Sequence, residues 1–343
     1  MLGLKVPKRE AQAAKARLIA ADALDASHRP SRDEEFVYFP VKRRVPGVLV
    51  RCSFEAVKPH AGSLREILSG ELNARELDAL SASFDVVGDI AILEIRPELR
   101  AKEKLIARAL LETNTRVRTV LRKDSAMLGE YRVRRLKWLA GRRTTEALYR
   151  ENECVMRVDL AKDYFSPRLS TERLRIASLA KKGERILVLF AGVGPYALEI
   201  AKRVACKVVA IELNPHAARL LKENVVLNKL KGTVKAVRGD VRRVVPRDYA
   251  RWADRIAMPL PHTGENFLEV ALAGARKNCV IHFYCFAPSA NPFAEPSALV
   301  KRKCREAGYS CRIIKKRVVR PYSPLLVQTV VDFKVVRLTR SSR

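Results

Sequence analysis

The sequence lacks the features of a membrane protein, a disulfide-rich protein and a zinc protein. No apolar run reaches the roughly 20 residues of a membrane-spanning helix, and the basic residues near the start do not suit a signal peptide. The 7 cysteines include no Cys-x-x-Cys pair, and no cysteine and histidine cluster has the spacing of a zinc site. These absences predict a cytoplasmic protein that neither enters a membrane nor binds a metal.

Acidic residues are also scarce. The 343 residues include 37 aspartates and glutamates against 67 lysines and arginines, which gives a net charge of +30. This excess predicts a polyanionic partner. We favour RNA or DNA over a membrane surface, because phosphate contacts supply most non-specific nucleic-acid affinity and no basic helix has a bulky apolar face.

The basic residues concentrate in one region. From Arg96 to Arg150 there are 16 lysines and arginines and 6 acidic residues, a net charge of 16 − 6 = +10. Within this region, one segment without any acidic residue carries Arg132, Arg134, Arg135, Lys137, Arg142 and Arg143. Most charge runs are solvated surfaces, but here the acidic partners are missing, so we interpret the segment as a surface that contacts phosphates.

A strand, a glycine turn and a second strand that ends in an acid follow one another in the middle of the chain. Arg185-Ile-Leu-Val-Leu-Phe190 predicts a buried strand, Gly192 and Gly194 form the turn, and Lys207-Val-Val-Ala-Ile-Glu212 ends in a carboxylate. This pattern is typical of a nucleoside-binding βαβ unit, in which the glycines let a ligand approach the backbone. The acid accepts the hydrogen bonds of a ribose diol.

The glycines alone leave the ligand open. They also fit a dinucleotide fingerprint, but Pro195 removes one N–H group that a pyrophosphate needs. S-adenosylmethionine has no phosphate, and Asp240, after the third strand, is where an acceptor for the adenine amino group would lie. A sheet without a nucleotide would explain the glycines but not Glu212 and Asp240 at successive strand ends. We therefore favour S-adenosylmethionine.

The chain is predicted to be an α/β protein with two smaller modules before a larger domain. Residues 1–60 form a small α/β module, 61–83 a linker, 84–165 a basic RNA-binding module and 166–343 a Rossmann-like domain. The domain has seven predicted strands, at 185–190, 207–212, 233–238, 254–258, 279–286, 310–319 and 327–337. Helices separate the first five strands and the last two form an antiparallel pair, as in a methyltransferase sheet.

Two further segments carry groups suited to chemistry. Ser166 and Pro167 predict a helix start with Ser166 as its cap, which places Glu172 early in the helix. On its own, Glu172 is explained as well by stabilisation at a helix N-terminus or by a surface pair with Arg168. Met258-Pro-Leu-Pro261 follows the fourth strand, at the sheet edge where ligands bind in such folds, and its carbonyls are free to accept hydrogen bonds.

Taken together, the motifs resemble the archaeal–eukaryotic tRNA (guanine-N1)-methyltransferases. These enzymes methylate N1 of the guanosine at tRNA position 37, next to the anticodon. The resemblance covers nearly the whole chain and depends on the order and spacing of Phe84-Asp-Val-Val-Gly-Asp-Ile-Ala91, Tyr164-Phe-Ser-Pro-Arg168, Thr171-Glu-Arg173, Phe190-Ala-Gly-Val-Gly-Pro195, Glu212-Leu-Asn-Pro215, Met258-Pro-Leu-Pro261 and Pro321-Tyr-Ser-Pro324.

The resemblance implies a role for each matching residue. Glu172 matches the family's general base, and Arg132 matches an arginine at the guanine O6. The implied cofactor contacts are Tyr164, Arg173, Gly192, Gly194, Glu212, Leu213, Asp240, Val241 and Pro259, and the implied RNA contacts are Arg168, Pro261, Arg142 and Arg143. The enzyme is then a monomer that binds tRNA at its anticodon loop and, through the amino-terminal module, at its outer corner.

Two positions depart from the family pattern. Val188 stands where relatives often carry Asp, which puts one contact to the methionine end in doubt. Pro259 stands where some relatives carry Asn, so only backbone groups are left to bind the base there.

The residue types suit the reaction. Guanine N1 carries a proton at neutral pH, and its removal moves negative charge onto O6, so a carboxylate base and a guanidinium at O6 are complementary. Three alternatives remain open: an enzyme that modifies the tricyclic wyosine-type base at position 37 by methyl or aminocarboxypropyl transfer, an RNA-binding protein without activity, and a nicotinamide oxidoreductase. Met258-Pro-Leu-Pro261 favours guanine methylation over aminocarboxypropyl transfer.

Overall fold

The computed structural model describes residues 1–25, 27–56, 63–80 and 84–337. The chain divides into two compact units, Met1–Leu77 with Glu112–Asn114, and Asp78–Leu111 with Thr115–Arg343. None of the helices in the described residues is both long and apolar enough to cross a membrane.

The smaller unit is built on a four-stranded antiparallel sheet. Its elements are β1 (Leu2–Pro7), α1 (Ala11–Ala20), β2 (Ser31–Arg32), β3 (Phe36–Pro40) and β4 (Val48–Arg51), followed by α2 (Leu64–Ile67) and α3 (Ala74–Ala79). β1 lies between β3 and β4. Leu4 and Val6, two positions apart on β1, point to the same face of the sheet and pack with Ala14 and Leu18 of α1.

A second four-stranded sheet opens the larger unit. It contains β5 (Asp85–Val87), β6 (Ile90–Leu93), β7 (Thr119–Lys123) and β8 (Leu136–Gly141), with α4 (Glu103–Thr113) between β6 and β7. β5 and β6 form a hairpin at Gly88, whose φ is 61° and whose added Cβ would lie 2.7 Å from the carbonyl oxygen of Leu148. The hairpin therefore turns at a position where a side chain would be strained.

A two-stranded hairpin links this sheet to the rest of the unit. β9 (Glu146–Glu151) and β10 (Cys154–Asp159) pair antiparallel across a turn in which both Asn152 and Glu153 have positive φ. The sequence analysis did not predict this hairpin. Met156 of β10 shares one apolar cluster with Leu121 of β7, so the basic module and the following domain share a core.

The remaining chain forms a seven-stranded sheet in the order β13-β12-β11-β14-β15-β17-β16. Its elements are α5 (Ser170–Leu179), β11 (Arg185–Leu189), α6 (Pro195–Arg203), β12 (Lys207–Glu212), α7 (Pro215–Leu227), β13 (Thr233–Arg238), α8 (Val241–Asp248), β14 (Ala253–Met258), α9 (Leu268–Gly274), β15 (Ala275–Pro288), α10 (Ala294–Glu306), β16 (Tyr309–Pro321) and β17 (Leu326–Arg337).

This sheet confirms the predicted Rossmann-like fold. The first five strands are parallel, while β17 pairs antiparallel with both β15 and β16. The strand order reverses at β11, which lies between β12 and β14. Ligands of such sheets bind beyond the carboxyl ends of the strands at this reversal.

Two local expectations differ from the structure. Pro167 does begin a helical turn, Pro167–Leu169, but the side chain of Ser166 makes no capping hydrogen bond, because the turn is a 3₁₀ helix that leads directly into α5. Of the segment 61–83, predicted as a linker, the described residues 63–80 include α2 and α3 rather than a single short helix.

One buried guanidinium and two carboxyl groups join α5, α6 and β9. Arg173 Nε lies 2.6 Å from Glu151 Oε1 and 3.4 Å from Glu199 Oε1. Asn152 Nδ2 donates to Glu199 Oε2 at 2.8 Å. Burial, followed by the nearby Glu151 carboxylate, raises the pKa of Glu199 to about 9, so Glu199 is protonated at neutral pH.

The proton on Glu199 makes the stability of the protein fall as the pH rises. Glu199 keeps its proton in the folded state up to a pKa of about 9, whereas its ordinary pKa is 4.5, so between these values the folded state binds more protons. From pH 5 to 9 we expect the wild type to lose at least about 1.4 kcal/mol of unfolding free energy relative to Glu199→Gln, the value of one pKa unit. Urea denaturation at each pH measures this, with the exposed Glu98→Gln as the matched control. Parallel pH profiles for the wild type and Glu199→Gln would contradict the assignment.

Candidate active site

The glycine turn follows β11 with an unusual backbone conformation. Phe190, Gly192 and Gly194 all have positive φ, at 58°, 56° and 100°. An added Cβ on Gly194 would lie 2.2 Å from Leu221 Cδ1, so only glycine fits there. At Gly192, the nearest atom to an added Cβ is the carbonyl oxygen of Tyr164 at 3.7 Å, so this side of the turn is open to a ligand.

Glu212 lies beside the turn at the end of β12. Its carboxylate accepts hydrogen bonds from the backbone N–H groups of Gly192 and Asn214, both at 2.7 Å. Burial raises the pKa of Glu212, while these N–H groups oppose that effect. Each carboxylate oxygen has two lone-pair directions, so an oxygen fixed by one N–H can still accept from a ribose hydroxyl. Leu213 follows it, half-buried.

Asp240 lies just after β13, the neighbouring strand, and caps α8. Its side chain accepts from the backbone N–H of Arg242 at 2.9 Å and from Arg242 Nη2 at 2.7 Å. The hydrogen bond from the Arg242 side chain lowers the pKa of Asp240, which keeps it ionised. Val241 is buried at the first position of the helix. Gly192, Glu212 and Asp240 thus follow three adjacent parallel strands at one sheet edge.

A groove of about 450 Å³ lies next to this edge. Five of its lining side chains are cations, Lys123, Arg132, Arg134, Arg168 and Arg320, and three are acids, Asp85, Glu94 and Asp163. The aromatic residues Tyr164, Phe165 and Tyr322 also line it. Tyr164 lines the groove, and its carbonyl oxygen lies 3.7 Å from an added Cβ on Gly192, so the groove borders the glycine turn.

Arg132 enters this groove from the chain between β7 and β8. Its φ is 53°, a left-handed conformation that is uncommon for arginine. The guanidinium carbon lies 5.6 Å from the centre of the Tyr164 ring, and within the described residues no carboxylate forms an ion pair with it. Burial lowers the pKa of Arg132, although Tyr164 and Tyr322 oppose this. A half-buried guanidinium without an acidic partner is suited to a ligand with negative charge.

Glu172 is not among the described residues that line the groove. Its side chain is 3% exposed on α5 and accepts from Arg175 Nε at 2.9 Å, Arg175 Nη2 at 2.7 Å and the Tyr284 hydroxyl at 2.6 Å. Arg175 also donates to Asp332 at 2.6 Å. Burial alone would lower the pKa of Arg175, but its hydrogen bonds to Glu172 and Asp332 raise it well above the usual range.

Two more expected site residues have partners within the protein. Arg173 is buried against Glu151 and donates to the Ser166 carbonyl at 3.1 Å, so it holds the segment that precedes α5. Arg168 lines the groove and donates to Asp85 at 2.6 Å. The surface pair between Arg168 and Glu172, considered as an alternative, is wrong, since each binds a different partner.

The Pro259–Pro261 segment follows β14 at the same sheet edge as the glycine turn, because β14 and β11 are adjacent and parallel. Pro259 and Pro261 are half-buried. The backbone is tightly turned here, with the Leu260 N–H donating to the Met258 carbonyl at 2.8 Å. This segment therefore lies where a base and a cofactor would meet.

Arg142 and Arg143 lie on the surface just after β8. Two hydrogen bonds fix the backbone of Arg142. Its N–H donates to the Arg118 carbonyl at 2.8 Å, and Thr119 Oγ1 donates to the Arg142 carbonyl at 2.9 Å. Both side chains are exposed, and neither forms an ion pair with a described residue. Two free cations on a fixed backbone suit phosphate contacts.

Sequence reasoning missed Arg175 and Tyr284, which donate to Glu172, and Asp332, which binds Arg175. Arg175 follows Glu172 by three positions, and this helical spacing was a usable signal for an ion pair. Tyr284 and Asp332 approach from β15 and β17, more than a hundred residues away along the chain, and no local pattern indicates them.

Three family models match the chain. They are described as the TRM5/TYW2 methyltransferase domain, over residues 147–314, the TYW2 N-terminal domain, over 64–144, and the tRNA methyltransferase 5 N-terminal domain, over 3–49.

Curated relatives and a solved structure match over most of their length. A tRNA (guanine(37)-N(1))-methyltransferase Trm5b of Pyrococcus abyssi is 38% identical over 335 residues, 97% of this chain and 99% of the relative. A tRNA(Phe) (4-demethylwyosine(37)-C(7)) aminocarboxypropyltransferase of Pyrococcus horikoshii is 33% identical and covers 82% of this chain and 99% of its own. In the solved structure of a complex of aTrm5 and tRNALeu, the matching protein chain is 32% identical to this one. The match covers 97% of this chain and 99% of that chain, with a TM-score of 0.71.

The match to the Pyrococcus abyssi relative, 38% identical over nearly the whole chain, is consistent with the strand order and the glycine turn of this structure. The open face of Gly192, the Glu212 carboxylate and Asp240 fit an adenosine-containing cofactor, which in this group of enzymes is S-adenosylmethionine. This chain belongs to the TRM5/TYW2 family and is an S-adenosylmethionine-dependent methyltransferase.

Proposed function

We propose that this enzyme methylates N1 of guanosine at position 37 of tRNA. The observation that carries the proposal is Arg132, a half-buried guanidinium without a carboxylate partner among the described residues, in a groove that borders the glycine turn. Loss of the N1 proton moves negative charge to O6, and a fixed cation stabilises that charge before the methyl group is transferred. The Pyrococcus abyssi and Methanocaldococcus jannaschii relatives carry this activity in their names.

The strand ends would hold the cofactor. Glu212 and Leu213 would bind the ribose, Asp240 and Val241 the adenine, and Gly192 and Gly194 would leave room for the chain between them. Tyr164 and Pro259 would border the methionine end of the cofactor. Arg173 would act indirectly, because it donates to the Ser166 carbonyl and so fixes the segment that contains Tyr164. When bound, S-adenosylmethionine supplies a methyl group on a sulfonium.

Glu172 would accept the N1 proton. In the structure both of its oxygens are occupied by Arg175, and Tyr284 donates to one of them as well. To reach a base in the groove, its side chain must rotate away from these donors. Arg175 would not be left unpaired, because Asp332 also binds it. Because Asp332 keeps Arg175 paired, the release of Glu172 from Arg175 costs less free energy.

The basic surface would hold the tRNA. Arg142 and Arg143 would contact phosphates of the anticodon stem-loop, while Arg168 and Pro261 border the groove that receives the target nucleotide. The amino-terminal module would bind the outer corner of the tRNA, and the enzyme would act as a monomer in the cytoplasm.

The main alternative substrate is a tricyclic wyosine-type base at the same position. The aminocarboxypropyltransferase of Pyrococcus horikoshii covers 82% of this chain, whereas the Trm5b relative covers 97%. The tRNA methyltransferase 5 N-terminal model also matches residues 3–49 here. These two findings favour guanosine methylation.

Unmodified tRNA transcripts with guanosine or adenosine at position 37 test the proposal. After incubation with radiolabelled S-adenosylmethionine, nucleoside analysis should find 1-methylguanosine in the guanosine transcript and no methylation of the adenosine transcript. A labelled aminocarboxypropyl product, or methylation elsewhere in the tRNA, would refute it.

Glu172→Gln should lose most turnover. The amide cannot accept the N1 proton, and general bases typically contribute about 10²–10⁴-fold, so we expect kcat to fall at least about 100-fold. Calorimetry should show unchanged S-adenosylmethionine affinity, and a thermal melt should report whether the variant folds. Glu98→Gln, on an exposed helical turn, is the matched control. Turnover at the wild-type rate would remove Glu172 as the base.

Arg132→Ala should lower kcat by about 10²–10³-fold, the usual effect of removing one donor from a developing oxyanion. The loss should be smaller in single-turnover assays with 2-aminopurine at position 37, which lacks the 6-oxygen, so that no negative charge develops at that position. Arg305→Ala, on the exposed side of α10, removes the same charge as a control. Equal losses with both bases would argue against a contact to O6.

Arg142→Ala combined with Arg143→Ala should weaken tRNA binding and flatten its salt dependence. Two lost phosphate contacts change the slope of log K against log salt by about 1–2. Filter binding from about 50 to 200 mM salt measures the slope, and the exposed pair Lys301→Ala with Arg305→Ala controls for net charge. A slope identical to that of the wild type would show that the two arginines face solvent.

A further inference from the structure

Three aromatic rings pack together in tilted and edge-on orientations, and one of them, Tyr322, lines the groove. The Tyr322 ring lies 4.4 Å from Phe286, and His262 lies 4.5 Å from Phe286 and 5.9 Å from Tyr322, measured between ring centres. They come from three places in the fold: the segment after β14, the end of β15, and the turn between β16 and β17. Rings at these distances and tilts attract one another and form a rigid cluster.

Tyr322 is the outer member of this cluster. It is 52% exposed, although it is a large aromatic side chain packed against two others. Its backbone N–H donates to the Leu326 carbonyl at 2.9 Å, and Ser323 donates to the same carbonyl at 3.0 Å, so the turn that carries the ring is fixed. One face of a held ring is therefore available to solvent.

The surroundings of Tyr322 are basic. Tyr322, Pro321 and Arg320 line the groove together with Arg132 and Arg168. Arg320 is tied to Gln328 Oε1 at 3.0 Å, an uncharged partner that leaves its positive charge uncompensated. Burial and the nearby Arg132 lower the pKa of His262, so the cluster stays neutral at physiological pH. An exposed aromatic face among cations is the arrangement that binds single-stranded nucleic acid.

Methylation at N1 creates a need for such a face. N1 lies on the pairing edge of guanine, so the target base must leave its stack in the loop to meet the cofactor. Its neighbours in the strand then lose a stacking partner, which costs free energy. Arg132 and Tyr164 flank the part of the groove next to the glycine turn, whereas Tyr322 lies on the β16–β17 turn.

We propose that Tyr322, supported by Phe286 and His262, stacks against the nucleobase that adjoins the target base in the RNA strand. This inference rests on the proposed function and adds a second base-binding position to the same site. The contact compensates the neighbour for the stacking that it loses when the target is everted. It requires the flat ring of Tyr322 and not its hydroxyl.

Kinetics with two variants and three tRNAs test this contact. Tyr322→Ala and Tyr322→Phe are compared with the wild type on a transcript with guanosine 37 and on two transcripts that are abasic at the nucleotide on one or the other side of it. On the complete transcript we expect Tyr322→Ala to lower kcat/KM about 5- to 100-fold, from the stacking energy of one base, and Tyr322→Phe to retain it within about two-fold. On one of the abasic transcripts the difference between Tyr322→Ala and the wild type should disappear.

The outcomes separate this inference from the proposed function. Product formation by the wild type on the complete transcript tests the methyltransferase assignment independently of Tyr322. Unchanged kcat/KM for Tyr322→Ala would overturn the stacking contact, as would a loss that persists on both abasic transcripts. As a binding readout, 2-aminopurine at the neighbouring position should be quenched by the wild type and by Tyr322→Phe but not by Tyr322→Ala. Equal quenching by all three proteins would also overturn it.

Discussion

The unpaired guanidinium of Arg132 is the constraint on which the site depends. Two fully buried arginines of the larger unit are neutralised, Arg173 by Glu151 and Arg255 by Glu184. Arg132 instead lies over the ring of Tyr164 on a left-handed backbone, with no carboxylate partner in the described part of the chain. Partial burial of a cation and a strained backbone both cost free energy. An anionic group of the substrate would offset that cost, which is why the groove is best explained as a site for a base that develops negative charge.

The proposed general base is held in a second buried network. Glu172 is bound by Arg175 and Tyr284, and Asp332 accepts from both Arg175 and His282. Such buried pairs contribute little net stability compared with apolar packing, so their value lies in defining discrete arrangements. A guanidinium shared by two carboxylates remains paired when one of them leaves. In the proposed mechanism this covered arrangement of Glu172 is the resting one, and Glu172 leaves Arg175 to reach the base.

Much of the fold could be predicted from the sequence, because buried parallel strands produce continuous apolar runs bounded by turns. All seven strands of the large sheet lie at the predicted places, and the glycine turn and the acid at 212 meet as the βαβ pattern implies. The hairpin of β9 and β10 was missed, because β9 is rich in charged residues and no glycine or proline marks the turn between the strands. The covered position of Glu172 could not be predicted either, since the sheet topology alone brings Tyr284 to Glu172 and Asp332 to its partner Arg175.

The most direct test of the account is a crystal structure of the enzyme with tRNA containing guanosine 37 and the demethylated cofactor. The account predicts that the Arg132 guanidinium lies within about 3.2 Å of the guanine O6. It also predicts that Glu172 has left Arg175 and faces N1, while Arg175 remains on Asp332. A complex in which Arg132 binds a phosphate, or in which Glu172 is still covered by Arg175 and Tyr284 with the target base in place, would contradict it.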